Sequence, residues 1–444
     1  MTVDLLSGNV TSIRVREQQF TVVKHIHASL VLFGRGTHVF LVQDKDGQHH
    51  ILKDAWLLVD HGISEVQVLS QIHQILEKDT SEDAKAYRTL HSRYVTGEEL
   101  GDSTNERRGR LTNKPPDRVH RRVVTGPVGD PLTTFRSRQE FVQVILDCVK
   151  WLDFLHNKCN LVHGDLSINN IVIFRAPAAC PPPPRTFVSK KGAAKPNIAA
   201  RITRTASRQQ RTPMIPAPLG GVDDSIPVVG TIIDYDYSRP LNTLLEKTSG
   251  TLPFMPLDAL NIDNRGKYVH HPAHDLEALL QTVLGIVMFT DGPYKMRPKT
   301  STRIPMARWY NEIDREQLYK DKSYDVQRFD RDIAAYAPQY WQPLIPYLRR
   351  LVAATWIDIN CSSKATHKAY SEILEEALTA LKKHPEVPAK YACGTTPKRP
   401  RTTDGVDESR WPYKFLRGDG PSCRRLPRHI DIKKLSEWQD SVDA

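Results

Sequence analysis

No stretch of about 20 apolar residues occurs anywhere in the 444-residue chain, so nothing in it reads as a membrane-spanning helix. The opening MTVDLLSGNVTSIRVREQQF lacks a basic start followed by an apolar run, which argues against a secretory leader. Cysteine is scarce. The 6 present (Cys148, Cys159, Cys180, Cys361, Cys393 and Cys423) lie far apart, with no CxxC pair and no histidine at zinc-ligand spacing. That excludes a disulfide framework and a structural metal clip, and fits a reducing compartment, cytoplasmic or nuclear. No internal repeat is present, so a solenoid is excluded as well.

What is there suits a globular chain. With 39% hydrophobic and 8% aromatic residues it can bury one large core or two moderate ones, and cores beyond about 250–300 residues usually divide. Two lobes with appendages are expected. The net charge of +11, from 62 Lys and Arg against 51 Asp and Glu, is spread widely and concentrates in segments of disordered composition. Charge alone therefore gives no case for a nucleic-acid partner.

Residues 1–20 read as an N-terminal extension and 21–125 as a first lobe. Strand alternation between Thr21 and Ala55 predicts three antiparallel strands, the third at HHILKDAW. In SEVQVLSQIHQILEK, Val66, Leu69, Ile72 and Leu76 recur at helical spacing behind Ser64, a good N-cap residue. The polar, arginine-rich 79–117 reads as a loop insertion, followed by a short strand at RRVVT and a hinge turn at GPVGDP.

Residues 126–385 read as a second, mainly helical lobe. Phe141, Val142, Ile145, Leu146, Val149, Leu152 and Leu155 form an amphipathic stripe, and HDLEALLQTVLGIVMF is apolar around most of its circumference, which implies burial. Within this lobe, 176–224 carries PPPP and eight Lys or Arg against Asp223 and Asp224; it cannot build a core and reads as a flexible insertion. The tail, 386–444, is basic and holds PKRPR, a short run that reads either as a nuclear address or as solvated surface. Insertion and tail together offer contacts to acidic partners.

The most informative string is HGDLSINN, His163 to Asn170, set between an amphipathic helix and an apolar strand. Its spacing lets Asp165 meet a substrate hydroxyl while the Asn170 amide oxygen coordinates a metal from the same loop. Singly, such residues are ordinary turn formers, and His163 can simply pack. Phosphoryl transfer needs a second metal ligand, because triphosphate charge must be neutralised. Asp234, where the apolar run of VVGTIIDYDYS ends, supplies it, with Asp236 as competitor; a bland strand end followed by a turn looks alike.

Lys53 on the third strand can reach phosphates if a carboxylate holds it. Glu65 is the natural partner and Glu77 the fallback, although an isolated strand lysine is usually solvated. Gly34 and Gly36, in LFGRGTHVFLV, let backbone N–H groups approach phosphate oxygens or are plain turn chemistry; Val39 occupies the position of a usual third glycine. Thr251, in SGTLPFMPLDAL, can stand beside Asp165 and seat a hydroxyl, and Asp275, opening the buried helix, can bond backbone amides of the 163–170 loop. A turn residue and an ordinary helix cap are the plainer readings.

The order GRGTHVF, LKDAW, the hinge stretch, HGDLSINNIVI, GTIIDYDYS, GTLPFMPLDAL and HDLEALL resembles the eukaryotic protein-kinase fold. Within that fold it is most similar to the fungal-type protein kinase family of mushroom-forming fungi, over roughly Thr21 to Leu381. The resemblance implies an α+β bilobal fold, with a small antiparallel sheet and one helix in the N-lobe and a mainly helical C-lobe. It further implies transfer from ATP with Mg2+ to a hydroxyl on a protein substrate, with Asp165 as base, Asn170 and Asp234 as metal ligands, Lys53 held by Glu65, and no membrane partner. Three positions depart from the wider kinase pattern. Gly164 stands where an arginine is usual, so no guanidinium waits there for a phosphorylated activation segment. Ser167 replaces a lysine, a pattern shared with small-molecule kinases of the aminoglycoside and choline type. The usual Ala-Pro-Glu is Pro256-Leu257-Asp258, leaving Asp258 a shorter carboxylate.

Overall fold

The computed structural model describes residues 1–3, 8–29, 35–59, 62–90, 93–109, 115–175, 228–245, 248, 250–261, 268–297, 304–356, 362–383 and 386. The whole 176–224 insertion and all of the tail after Glu386 therefore lie outside the described residues, as do Gly34 and the cysteines other than Cys148 and Cys159. Those two are buried free thiols.

Alternating burial drives the N-terminal part into a curled antiparallel sheet. Its strands are β1 (Thr2–Val3), β2 (Val10–Val15), β3 (Gln18–Ala28), β4 (His38–Gln43), β5 (His49–Leu58), β6 (Arg93–Ser103) and β7 (Arg118–Gly126), in the order β1-β2-β3-β4-β5-β7-β6. The second and third expected strands, VFLV and HHILKDAW, are β4 and β5; the first, SLVLF, lies outside the described residues beyond Ser29, and β3 precedes it. Two differences from expectation have clear causes. Strands β1 and β2, within the expected N-terminal extension, are part of the sheet, because Ile13 and Val15 of β2 are fully buried with Phe20, Phe40, Val42, Leu52 and Val124 in one apolar cluster. The expected loop at 79–117 contains an edge strand, β6, whose Glu98 and Glu99 pair with Arg122 and Arg121 of β7. Charge on an edge strand blunts pairing with other chains, and it also masks the strand in the sequence.

The helix α1 (Glu65–Lys78) starts at a capping box, in which Ser64 Oγ accepts from Gln67 N–H while the Gln67 side chain accepts from Ser64 N–H. Two short helices, α2 (Glu82–Leu90) and α3 (Thr104–Arg108), follow in the same region. The N-lobe thus carries more than the single helix expected.

The second lobe is helical around α4 (Arg138–Asn157), α5 (Leu257–Leu260), α6 (Pro272–Phe289), α7 (Arg315–Gln327), α8 (Phe329–Asp332), α9 (Ile345–Thr355) and α10 (His367–Lys383). Every residue of α6 from His274 to Phe289 is buried, as its apolar circumference predicts. Short strands β8 (Asp130–Pro131), β9 (Leu161–Val162), β10 (Ile171–Arg175) and β11 (Val228–Ile232) frame the cleft side. The chain leaves β10 and re-enters β11 at paired residues, Arg175 opposite Val228, and stays in register to Ile171 opposite Ile232. A long connection between paired ends costs little extra, because closure entropy grows slowly with length. Among the described residues no helix is long and apolar enough to cross a membrane.

Candidate functional site

Strand β5 aims Lys53 at the cleft, where three carboxylates meet its ammonium. Lys53 Nζ lies 3.0 Å from Glu65 Oε2, 2.6 Å from Asp234 Oδ1 and 2.7 Å from Asp236 Oδ2. Glu65, at the first turn of α1, spends its other oxygen on the Tyr235 backbone N–H at 3.0 Å. Burial works against charge on Lys53, and Asp234, Asp236 and Glu65 outweigh it, so the ammonium is held well above its usual range. Burial pushes Glu65 up, and its acidic neighbours add to that against the pull of Lys53. Burial would raise Asp234 too, but Lys53 and Arg35 hold it below the usual carboxylate range. The Asp234 side chain is 30% exposed and that of Asp236 is 0%, so Asp234 is the one facing the cleft.

The 163–170 loop follows β9 and is anchored from below by Asp275. The Asp275 carboxylate accepts from the backbone N–H groups of His163 at 2.7 Å and Gly164 at 3.0 Å, and from His156 Nε2 at 3.0 Å and His270 Nε2 at 2.8 Å. It is fully buried; burial opposes its charge, yet His270 and His156 hold it well below the usual range. Burial keeps the His163 ring neutral, with Nε2 donating to the Ile233 carbonyl at 3.2 Å.

Asp165 Oδ1 accepts from the Thr251 backbone N–H at 2.8 Å and the Thr251 hydroxyl at 2.9 Å. Burial, helped by the charge of Asp234, raises Asp165 to about 6. Asn170 Nδ2 donates to the Asp165 carbonyl at 2.7 Å, and the Asn170 carbonyl accepts from Ile233 N–H at 2.9 Å. The Asn170 backbone is therefore tied to the residue just before Asp234.

Gly164 is the loop's conformational pivot. Its φ is +80°, and a Cβ there would sit 2.6 Å from the Tyr237 carbonyl oxygen. Gly164→Ala is expected to cost about 1–3 kcal/mol, since both the backbone region and the space exclude a side chain. Denaturant unfolding at fixed pH measures that loss, and a wild-type midpoint would refute the strain.

Of the residues singled out in the sequence, Lys53, Glu65, Asp234, Asp236, Asp165, Thr251, Asn170, His163 and Asp275 thus lie in one connected set of contacts. Glu77 is exposed and takes no part in this set. Gly36 adopts φ +51° in the turn before β4, and Gly34 is outside the described residues. Sequence reasoning missed Arg35, whose Nη1 lies 2.8 Å from Asp236 Oδ2 and whose guanidinium stands over the Tyr237 ring, 5.3 Å from its centroid. Its place between two glycines was the available signal. His156 and His270 were also missed; neither stands within a motif string. Asp258 turns to His274 Nε2 at 2.9 Å and to the Ser362 hydroxyl at 3.2 Å.

The arrangement offers oxygen ligands for a hard cation. Glu65, Asp234 and Asp236 bring carboxylate oxygens within 4.8 Å of one another. No curated protein matches the chain significantly. The family model described as "fungal protein kinase" matches residues 5–287, from β2 through nearly all of α6. With a strand lysine, a helix glutamate, an Asp165 loop and an acidic turn converging on one cleft, and that match spanning more than half its length, the chain belongs to the fungal protein kinase family.

Proposed function

We propose that the chain transfers the γ-phosphoryl group of ATP, with magnesium, to a Ser or Thr hydroxyl of a protein. The observation that carries this reading is the pairing of Asp165 with the Thr251 hydroxyl at 2.9 Å beside the Lys53–Glu65 ion pair at 3.0 Å. Asp165 takes the acceptor's proton, and Thr251 holds its carboxylate at the angle needed. Lys53 binds the α- and β-phosphates while Glu65 fixes its direction. Asp234, the more exposed of the two cleft aspartates, would hold the metal with the amide oxygen of Asn170, whose NH2 is occupied by the Asp165 carbonyl. Asp236 is the competing ligand. Magnesium suits such hard oxygen donors, and when bound it neutralises triphosphate charge. Gly36, at φ +51° just before β4, would let backbone N–H groups approach the phosphates, and Gly34 is assigned the same role on its sequence position.

The test offers ATP labelled at the γ-phosphate to a panel of proteins and, separately, to amino-sugar and choline-like acceptors. Label on protein Ser or Thr, lost when magnesium is withheld, is the expected result. Label confined to the small molecules would move the enzyme to the other acceptor class, which the absence of a lysine at Ser167 favours. Magnesium-dependent ATP binding without any turnover would leave a nucleotide-binding scaffold.

The pH profile has a definite direction. Asp165 must be ionised to accept a proton, and its carboxyl is raised to about 6. Activity is therefore expected to fall about tenfold per pH unit on the acid side of that value and to level off above it. A rate that is flat from pH 5 to 8 would remove Asp165 from the role of base.

A further inference from the structure

The apolar helix α6 buries one carboxylate that the cleft does not use. Glu277 is 0% exposed, and so is Lys322 of α7. Glu277 Oε1 accepts from the Leu257 backbone N–H at 2.7 Å and from Gln281 Nε2 at 3.0 Å. Lys322 Nζ donates to the Met255 carbonyl at 2.7 Å and to Gln281 Oε1 at 2.8 Å. Gln281 thus joins the two side chains, and the backbone groups they hold stand on either side of Pro256. That segment is part of the site's surroundings: Thr251, Phe254, Met255 and Pro256 line a cavity together with Gly164 and Asp165.

Burial pushes Glu277 up and Lys322 down, each opposed by the other's charge. An acid and an amine at this depth are a poor source of stability, because apolar residues of equal volume would fill the space without the desolvation penalty. What they provide, and packing would not, is two directional attachments to main-chain atoms, four and six residues beyond Thr251. Backbone held at two points on either side of a proline has little freedom left to shift.

We propose that Glu277 and Lys322 are positioning residues for the acceptor. With Gln281 they fix the 255–257 backbone relative to Asp165, and so set which hydroxyl-bearing polypeptide fits between that segment and the base. The assignment rests on the reading of the protein as a protein kinase. It also relocates a function: the carboxylate that steadies this segment comes from α6, while Asp258 is engaged by His274.

The test uses the full chain with Glu277→Gln and Lys322→Met together, so that neither ion is left buried alone. Two readouts are needed: amide hydrogen exchange over residues 250–257, and KM for casein or histone measured beside KM for ATP. Losing the Met255 anchor is expected to speed exchange across 250–257 and to raise the protein-acceptor KM by about tenfold, with KM for ATP changed by less than about twofold. Lys322→Gln, neutral and shorter by one methylene, is expected to move both readouts the same way and serves if the double variant does not fold. Wild-type exchange in a folded variant would overturn the anchoring. Faster exchange with an unchanged acceptor KM would overturn the positioning role. If the wild type labels no protein at all, the underlying kinase reading fails and takes the acceptor role with it, while the exchange data still decide whether the anchoring exists.

Discussion

Asp165→Asn is expected to lower kcat by about 10³-fold, within the range that a positioned general base contributes, while the protein stays folded. The asparagine amide keeps an oxygen for the Thr251 N–H and hydroxyl, which now meet the carboxylate at 2.8 and 2.9 Å. It cannot take a proton from an acceptor. Stability should move the opposite way from activity. The folded Asp165 carboxyl is raised to about 6 from its ordinary 3.8, so the ionised group opposes folding at pH 7, an opposition relieved as pH falls from about 6 towards 3.8. The asparagine variant carries no such penalty and should unfold at the wild-type temperature or above it at pH 7. Single-turnover transfer assays beside thermal unfolding measure both halves. Activity retained in a clean preparation would rule out the assigned base, and a large loss of stability would make Asp165 a structural residue.

Asp275→Ala is expected to be the most destabilising single change near the cleft, by about 3–5 kcal/mol, the range for breaking a buried, hydrogen-bonded charge network. The cause is arithmetic of donors. Two backbone N–H groups and two imidazoles converge on one fully buried carboxylate at 2.7 to 3.0 Å, and alanine leaves all four facing an apolar gap. Because the two N–H groups belong to His163 and Gly164, the loop carrying Asp165 should loosen before the rest of the lobe. Hydrogen exchange at residues 163–165 reports that directly. The same carboxylate has an acid limit. Its folded value lies well below 3.8, so the stability it supplies is complete above that pH and is lost as pH falls towards the depressed value. A denaturation midpoint within about 1 kcal/mol of wild type would show that water or rearranged histidines satisfy the donors.

How much was legible in the sequence depended on how local the signal was. HGDLSINN placed Asp165 and Asn170 on one loop because the whole string spans eight positions, and the helical period behind Ser64 put Glu65 on the side of Leu69 and Ile72 that packs inward. Strand β2 escaped notice for a physical reason. Its hairpin with β3 turns through Arg16 and Glu17, with Arg16 at φ +50°, and lacks the Asn-Gly or Asp-Gly pair that advertises such a turn. Strand β6 was hidden by its charges. Arg35 and Asp236 lie 201 positions apart, and Lys322 reaches a carbonyl 67 positions away. Nothing in local periodicity reports a partner at that range. Glu277 was the nearest to visible, as a carboxylate two residues past Asp275 on a helix apolar almost all round, but its target is a main-chain N–H, which has no letter in a sequence.

Glu65 has one oxygen on Lys53 and the other on the Tyr235 amide. Helix α1 and the acidic turn therefore share a single fastener, and α1 cannot swing outward without releasing both at once. Anything that pushes on α1 from outside, whether another protein or a remote segment of this one, would be felt simultaneously at Lys53 and at the turn carrying Asp234, as one two-position lever.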